Sequence, residues 1–282
     1  MNLYEETKFI MKQNNIVANK SLGQNFLIDE NVVDCIVSSA NVSEKDLIIE
    51  IGPGLGTLTK KILEKAGKVI CIELDSKMVK ILTNRFKLYE NFEILNEDVL
   101  KVDLKELINQ NKKDGIEHVK IAANLPYYIT TPIIMKLLED RLPIDSITVM
   151  IQKEVAQRLA ETPGGKETGS ITYTIWYYTN PKIVLEVPNN SFIPEPEVTS
   201  SVIKFDILKE PRIKVENEEK FFKLIKVAFL QKRKTLVNAL VNGGIFPNKE
   251  SAENCLKNLD IDTKIRGEKL TLEQYKQIAE SI

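Results

Sequence analysis

One histidine, three cysteines and one tryptophan in 282 residues leave little for soft-metal or histidine-based chemistry. His118 stands alone, so a zinc site has too few ligands. Cys35, Cys71 and Cys255 lie far apart among apolar neighbours, with no Cys-x-x-Cys pair, and are expected to be free thiols. No run approaches the ~18 apolar residues that a membrane-spanning helix requires. The opening "MNLYEETKFIMKQNNIVANK" lacks the apolar centre of a signal peptide. These absences predict a cytoplasmic protein with no metal and no membrane partner. Nothing in the sequence points to an oligomer, and a monomer is expected.

What is present is ordinary for a folded chain: 43% hydrophobic and 28% charged residues, enough to bury one large domain, or one large and one small. The net charge of −1 is unevenly spread. Residues 199–282 hold sixteen basic against twelve acidic side chains, leaving residues 1–198 at −5. The "QKRKTLVN" stretch at 231–238 sets three cations in a row. A solvated helix face accounts for most such clusters, yet a local basic patch can bind phosphates whatever the total charge.

Short apolar runs at 46–52, 68–75, 92–98, 119–125 and 146–152 read as strands buried on both faces. Helix-like stretches such as "LGTLTKKILEKAG" and "SKMVKILTNRF" separate them, so the expected class is α/β with a doubly wound, Rossmann-like sheet. Beyond 152, "EVAQRLAET" and "ITYTIWYYT" read as helices, and "KIVLEV" and "SSVIKFDIL" as a closing pair of strands. The polar stretch "KEPRIKVENEE" marks a boundary, giving a sheet domain over 1–208 and a small helical domain over 209–282.

Ligands of open parallel sheets bind outside the carboxyl ends of the strands. The first such end is "EIGPGLGTLT", where Gly52, Gly54 and Gly56 allow close backbone approach. A dinucleotide fingerprint would need glycine where Thr57 stands, and a P-loop would need Gly-Lys-Ser/Thr. The second strand ends in Glu73, placed to accept both ribose hydroxyls. The third leads to Asp98, suited to an adenine edge or to a helix cap, and the fourth ends in Asn124. Glycines, acid, acid and amide together describe a site for an adenosine-like ligand without phosphates, and S-adenosylmethionine matches.

That ligand explains "NLPY" at 124–127, which holds no strong base or nucleophile. The methyl group is already electrophilic, whereas an adenine amine is a poor nucleophile because its lone pair is delocalised. Acceptors at the Asn124 side-chain oxygen and the Leu125 carbonyl would hold the two amino hydrogens and aim the lone pair. Pro126 fixes the turn, and Tyr127 stacks on the base for ~1–3 kcal/mol. This is catalysis by positioning and dipoles. The Ile129-Thr130-Thr131 side of the loop is expected to leave room for a methyl already transferred.

"NLPY" resembles the [Asn/Asp/Ser]-Pro-Pro-[Tyr/Phe] signature of amino methyltransferases, and in this form that of the ribosomal RNA adenine dimethyltransferases. The resemblance spans nearly the whole chain: "KSLGQNFL", "EIGPGLGTLT", "CIELD", "EDVL", "NLPYYITTPI", "FIPEPEVTS" and "AFLQKRKTLVNAL" follow in order. It is greatest to enzymes that dimethylate two adjacent adenosines of small-subunit (16S) RNA during ribosome biogenesis. It implies cofactor contacts at Asn25 and Leu27, in an N-terminal segment capping the pocket, as well as at Gly52, Gly54, Glu73, Asp98 and Asn124. It implies that Phe192 clamps the target base opposite Tyr127, whereas the residues alone read Phe192 as a core aromatic beside a proline loop. RNA contacts are implied at Lys232, Arg233 and Lys234, and more loosely at Lys20 and Gln24. Lys232 stands where the family usually has arginine, which loses planar bidentate phosphate contact. A sister family acting on large-subunit RNA usually carries "EIGSGKGHFT" and "NIPYNIST", unlike this chain. The rival of another class is a non-catalytic assembly or nucleic-acid-binding factor on the same fold.

Overall fold

In the computed structural model, residues 1–19, 23–113, 115–231 and 233–282 are described. They form two compact units, Met1–Ala156 with Lys182–Ile207, and Gln157–Pro181 with Leu208–Ile282.

The first unit is built on a seven-stranded sheet in the order β4-β3-β2-β5-β6-β9-β7. The strands are β2 (Asp46–Ile51), β3 (Lys68–Glu73), β4 (Phe92–Asn96), β5 (His118–Asn124), β6 (Ser146–Gln152), β7 (Thr179–Val187) and β9 (Ser200–Ile207). Parallel pairing runs from β4 to β6, and β9 joins β6 antiparallel. The five strands expected from the apolar runs are all present, and the late pair closes the sheet. Their apolar runs are unbroken because both faces are covered: every residue of β2 is buried. The order reverses between β3-β2 and β5, which opens a crevice at the carboxyl ends of β2 and β5.

Helices α3 (Thr57–Leu63), α4 (Ser76–Phe86), α5 (Leu104–Asn111) and α6 (Thr130–Glu139) follow β2 to β5 in turn. Asp75 caps α4 by accepting from the Lys77 N–H, and Asp103 caps α5 through the Glu106 N–H. Ahead of the sheet lie α1 (Leu3–Gln13), the short strand β1 (Phe26–Leu27) and α2 (Glu30–Ser39). β1 pairs antiparallel with β8 (Phe192–Ile193), Leu27 lying opposite Phe192.

The second unit holds the end of α7 (Lys153–Ala160), α8 (Ser170–Tyr178), and α9 (Glu218–Leu230), α10 (Leu236–Asn242), α11 (Lys249–Asn258) and α12 (Leu272–Glu280). The change of unit after Ile207 falls where the charged stretch begins, but a sheet domain continuous over 1–208 is corrected: Gln157–Pro181 belong with the helices. The reason is aromatic packing. Tyr173 and Tyr177, fully buried on α8, lie 4.9 Å from the Tyr275 ring and 5.5 Å from the Phe221 ring respectively. The charged stretch is itself fastened, since the Arg212 guanidinium donates to the Trp176 and Thr179 carbonyls at 2.8 and 2.9 Å.

Candidate active site

A cavity opens at the strand ends, with about 1110 Å³ of empty space counted out to its mouth. It collects Asn25, Leu27, Gly52, Gly54, Glu73, Asp98 and the Asn124–Tyr127 corner. Five of the seven sequence motifs meet in this one wall.

After β2 the backbone turns through positive φ at Gly52, Gly54 and Gly56 (66°, 58° and 81°). Gly52 faces space on the cavity side: a Cβ there would find its nearest neighbour, Pro126 Cδ, only at 3.9 Å. A ligand can therefore approach the main chain. Gly56 serves packing instead, because a Cβ would sit 2.6 Å from Leu82 and Phe86 side-chain atoms.

Glu73 ends β3 almost buried, at 8% exposure. Its carboxylate accepts the Asp75 N–H at 2.9 Å and the Gly54 N–H at 3.2 Å. A carboxylate has about four acceptor positions, so acceptor capacity remains for a ligand hydroxyl. Burial raises the Glu73 pKa, opposed by these N–H donors. Asp98 accepts the Leu100 N–H at 3.0 Å, a local turn rather than a helix cap, and keeps its second oxygen.

At the end of β5 the Asn124 Nδ2 donates to the Asn25 carbonyl at 3.3 Å. That bond orients the amide and leaves Oδ1 as the available acceptor. The Leu125 N–H is committed to the Met150 carbonyl at 3.1 Å, while the Pro126 carbonyl accepts from Ile129 and Thr130. Among the described residues the Leu125 carbonyl accepts no such bond. Tyr127 is held by its hydroxyl against Ser200 Oγ at 2.7 Å, so its ring is fixed in the wall. Burial raises the Tyr127 pKa, which keeps the phenol neutral.

Phe192, the expected clamp, sits apart from the rest of the site. Pairing with Leu27 turns its ring into the core, where it is 1% exposed and contributes nothing to the cavity wall. Of the Ile129-Thr130-Thr131 side, Ile129 alone lines the cavity, and the Thr130 hydroxyl is tied to the Pro126 carbonyl at 3.1 Å. Arg233 and Lys234 are exposed; Lys20 and Lys232 lie outside the described residues.

Glu50 and Tyr128 line the cavity without having been singled out in the sequence. Glu50, 1% exposed, is pushed up to about 7 by burial, with the Thr59 and Cys71 side chains and the Glu73 charge as lesser influences. Its signal was legible: an acid inside the apolar run "LIIEI" is costly unless used. Tyr128, 57% exposed at the mouth, shows no such signal beyond its place after Tyr127.

The described lining holds four acidic side chains, Glu50, Glu73, Glu97 and Asp98, and no cation. A phosphate-bearing nucleotide would be repelled, whereas a nucleoside carrying positive charge is favoured. S-adenosylmethionine, with a sulfonium and an ammonium group, fits that donor and acceptor set. Among the described residues no cluster of His, Cys, Asp or Glu could hold a metal ion, and no helix is long and apolar enough to cross a membrane.

Sheet order and cavity define the class, a Rossmann-like methyltransferase fold. Residues 15–282 match the family described as Ribosomal RNA adenine dimethylase, and the chain belongs to that family. It is 49% identical over 278 residues to the Ribosomal RNA small subunit methyltransferase A of Alkaliphilus oremlandii, covering 99% of this chain and 96% of the relative. The protein of the same name from Alkaliphilus metalliredigens is 47% identical, covering 98% and 96%. Among solved structures, a dimethyladenosine transferase from Plasmodium falciparum superposes with a TM-score of 0.73 at 26% identity, covering 90% of this chain and 95% of that one. The 23S rRNA methyltransferase ErmE shares the fold at a TM-score of 0.69 and 23% identity, covering 91% and 98%.

Proposed function

We propose that this chain transfers methyl groups from S-adenosylmethionine to the exocyclic nitrogen of two adjacent adenosines in a hairpin loop of small-subunit (16S) ribosomal RNA. The product is N6,N6-dimethyladenosine, formed during ribosome biogenesis by a cytoplasmic monomer. The observation that carries the chemistry is the orientation of Asn124, whose Nδ2 bond to the Asn25 carbonyl leaves Oδ1 as acceptor beside the Leu125 carbonyl. The small-subunit assignment is supported by the names and the 47–49% identities of the relatives.

Bound S-adenosylmethionine supplies an electrophilic methyl group. Glu73 would accept the ribose hydroxyls, and Asp98 would meet the adenine edge. The backbone at Gly52 and Gly54 would pass against the methionine tail, with Asn25 and Leu27 closing over it. The target amine is held by its two hydrogens at Asn124 Oδ1 and the Leu125 carbonyl, which favours a tetrahedral nitrogen with its lone pair directed at the methyl. Pro126 fixes that corner. Tyr127, its ring set by Ser200, stacks on the extruded base for ~1–3 kcal/mol. The excess proton leaves to water, so no histidine base is needed. For the second transfer one hydrogen remains and one acceptor suffices. Arg233 and Lys234, both exposed, and Lys232 between Gln231 and Arg233 would contact RNA phosphates.

The test is tritium transfer from labelled S-adenosylmethionine to small subunits lacking adenosine methylation, with large-subunit RNA as control. Label in dimethyladenosine from the small subunit alone is expected. Label from large-subunit RNA would move the substrate to the other subunit. No label with intact cofactor binding would leave a binding factor.

A further inference from the structure

The glycine-rich turn after β2 has few bonds of its own. Within it, Gly56 N–H reaches the Pro53 carbonyl and Gly54 N–H reaches Glu73, while three positive-φ glycines make it costly to order. The Leu55 carbonyl is held from outside. Arg85, on the last turn of α4, donates one guanidinium nitrogen to that carbonyl and the other to the Glu6 carboxylate of α1. Arg85 and Glu6 side chains are only 16% and 18% exposed, so the pair is weakly screened. Lys60 of α3 adds a second cation to Glu6 at 3.2 Å. The Leu55 side chain is gripped as well, within a small cluster of Ile16, Phe26, Met78 and Ile81.

From this arrangement we propose that Arg85, aimed by Glu6, is a positioning residue for the cofactor: it fixes the Leu55–Gly56 peptide and so pre-forms the turn that the methionine tail meets. The guanidinium is matched to the task because its planar fork serves a carbonyl and a carboxylate together, which a lysine ammonium cannot reproduce at one geometry. A pre-ordered turn spares the ligand the entropy of ordering it. Arg85 is not itself part of the cavity wall and meets it only through the Leu55 carbonyl, away from the Asn124–Tyr127 corner, so its influence falls on cofactor affinity. The inference rests on the turn being the cofactor site.

The experiment compares the unaltered protein with Arg85→Lys and Glu6→Gln. Calorimetry with S-adenosylhomocysteine gives the affinity, and hydrogen exchange of residues 52–58 without ligand gives the order of the turn. Arg85→Lys is expected to weaken binding about tenfold and to speed exchange in that segment. Its KM for S-adenosylmethionine should rise by the same factor, with kcat at saturation and KM for RNA unchanged. Glu6→Gln should show a smaller effect in the same direction and guards against misfolding of the first variant. Unchanged affinity and exchange in both variants would overturn the relay while leaving the cofactor site standing. A fall in kcat and in thermal stability with unchanged affinity would likewise overturn it, in favour of a purely structural pair. If the unaltered protein itself fails to bind S-adenosylhomocysteine, the cofactor reading falls and the relay with it.

Discussion

In the proposed mechanism Asn124 and Glu73 divide the work of the site between them. Asn124→Ala removes an acceptor needed only by the target amine, so turnover should vanish while cofactor affinity stays within about tenfold, or ~1.4 kcal/mol. Glu73→Ala should lose cofactor binding first. Calorimetry beside single-turnover assays separates the two, and a large affinity loss in Asn124→Ala would sink the positioning argument. Glu50 makes a pH prediction. Burial raises its pKa to about 7 from 4.5, so the folded protein keeps a proton that the unfolded chain releases. Its contribution to stability is full below pH 4.5 and is lost as the pH rises through about 7, by at most about 3 kcal/mol. Glu50→Gln should therefore melt higher than the parent at pH 8 and alike at pH 4, measured without ligand. Glycines, Glu73 and Asn124 were legible as site residues because each ends an apolar run. For Phe192 the residues alone read as a core aromatic and the family resemblance as a clamp, and its burial depends on a pairing with Leu27 that lies 165 positions away.

Among the elements, the β2–α3 turn carries the sharpest constraint. Gly56 combines φ of 81° with a Cβ position 2.6 Å from Leu82 and Phe86. Gly56→Ala should cost about 3 kcal/mol, from left-handed backbone and overpacking together. Urea unfolding measures it, and a loss under about 1 kcal/mol would mean that α4 yields easily. The strands were readable because a sheet buried on both faces writes itself as unbroken apolar runs, as in "LIIEI" and "VICIE". Helix α8 was readable too, but not its allegiance. Tyr173 and Tyr177 could serve any core, and only the placement of Phe221 and Tyr275 assigns them to the second unit.

At the scale of the molecule, the sheet separates function from support along its strands. The carboxyl edge builds the cavity, while the amino edge is tied by a buried pair, Lys120 Nζ to Asp46 Oδ2 at 2.6 Å, with the Asn41 carbonyl at 2.7 Å. Asp46 is fully buried, so Lys120→Met would strand its charge. The expected loss is about 3–5 kcal/mol of stability, with S-adenosylhomocysteine affinity unchanged in whatever fraction remains folded. Weakened affinity with unaltered stability would place Lys120 in the functional half instead. By itself the sequence determined the alternation of strand and helix and the ligand class, because apolar period, turn glycines and strand-end polar residues are local properties. Only the tertiary structure decided the core burial of Phe192, the amide orientation of Asn124, the Arg85 contact with Leu55 and the membership of α8. Each depends on partners remote in the chain, and distance along a sequence carries no information about which surfaces meet once the chain has closed on itself.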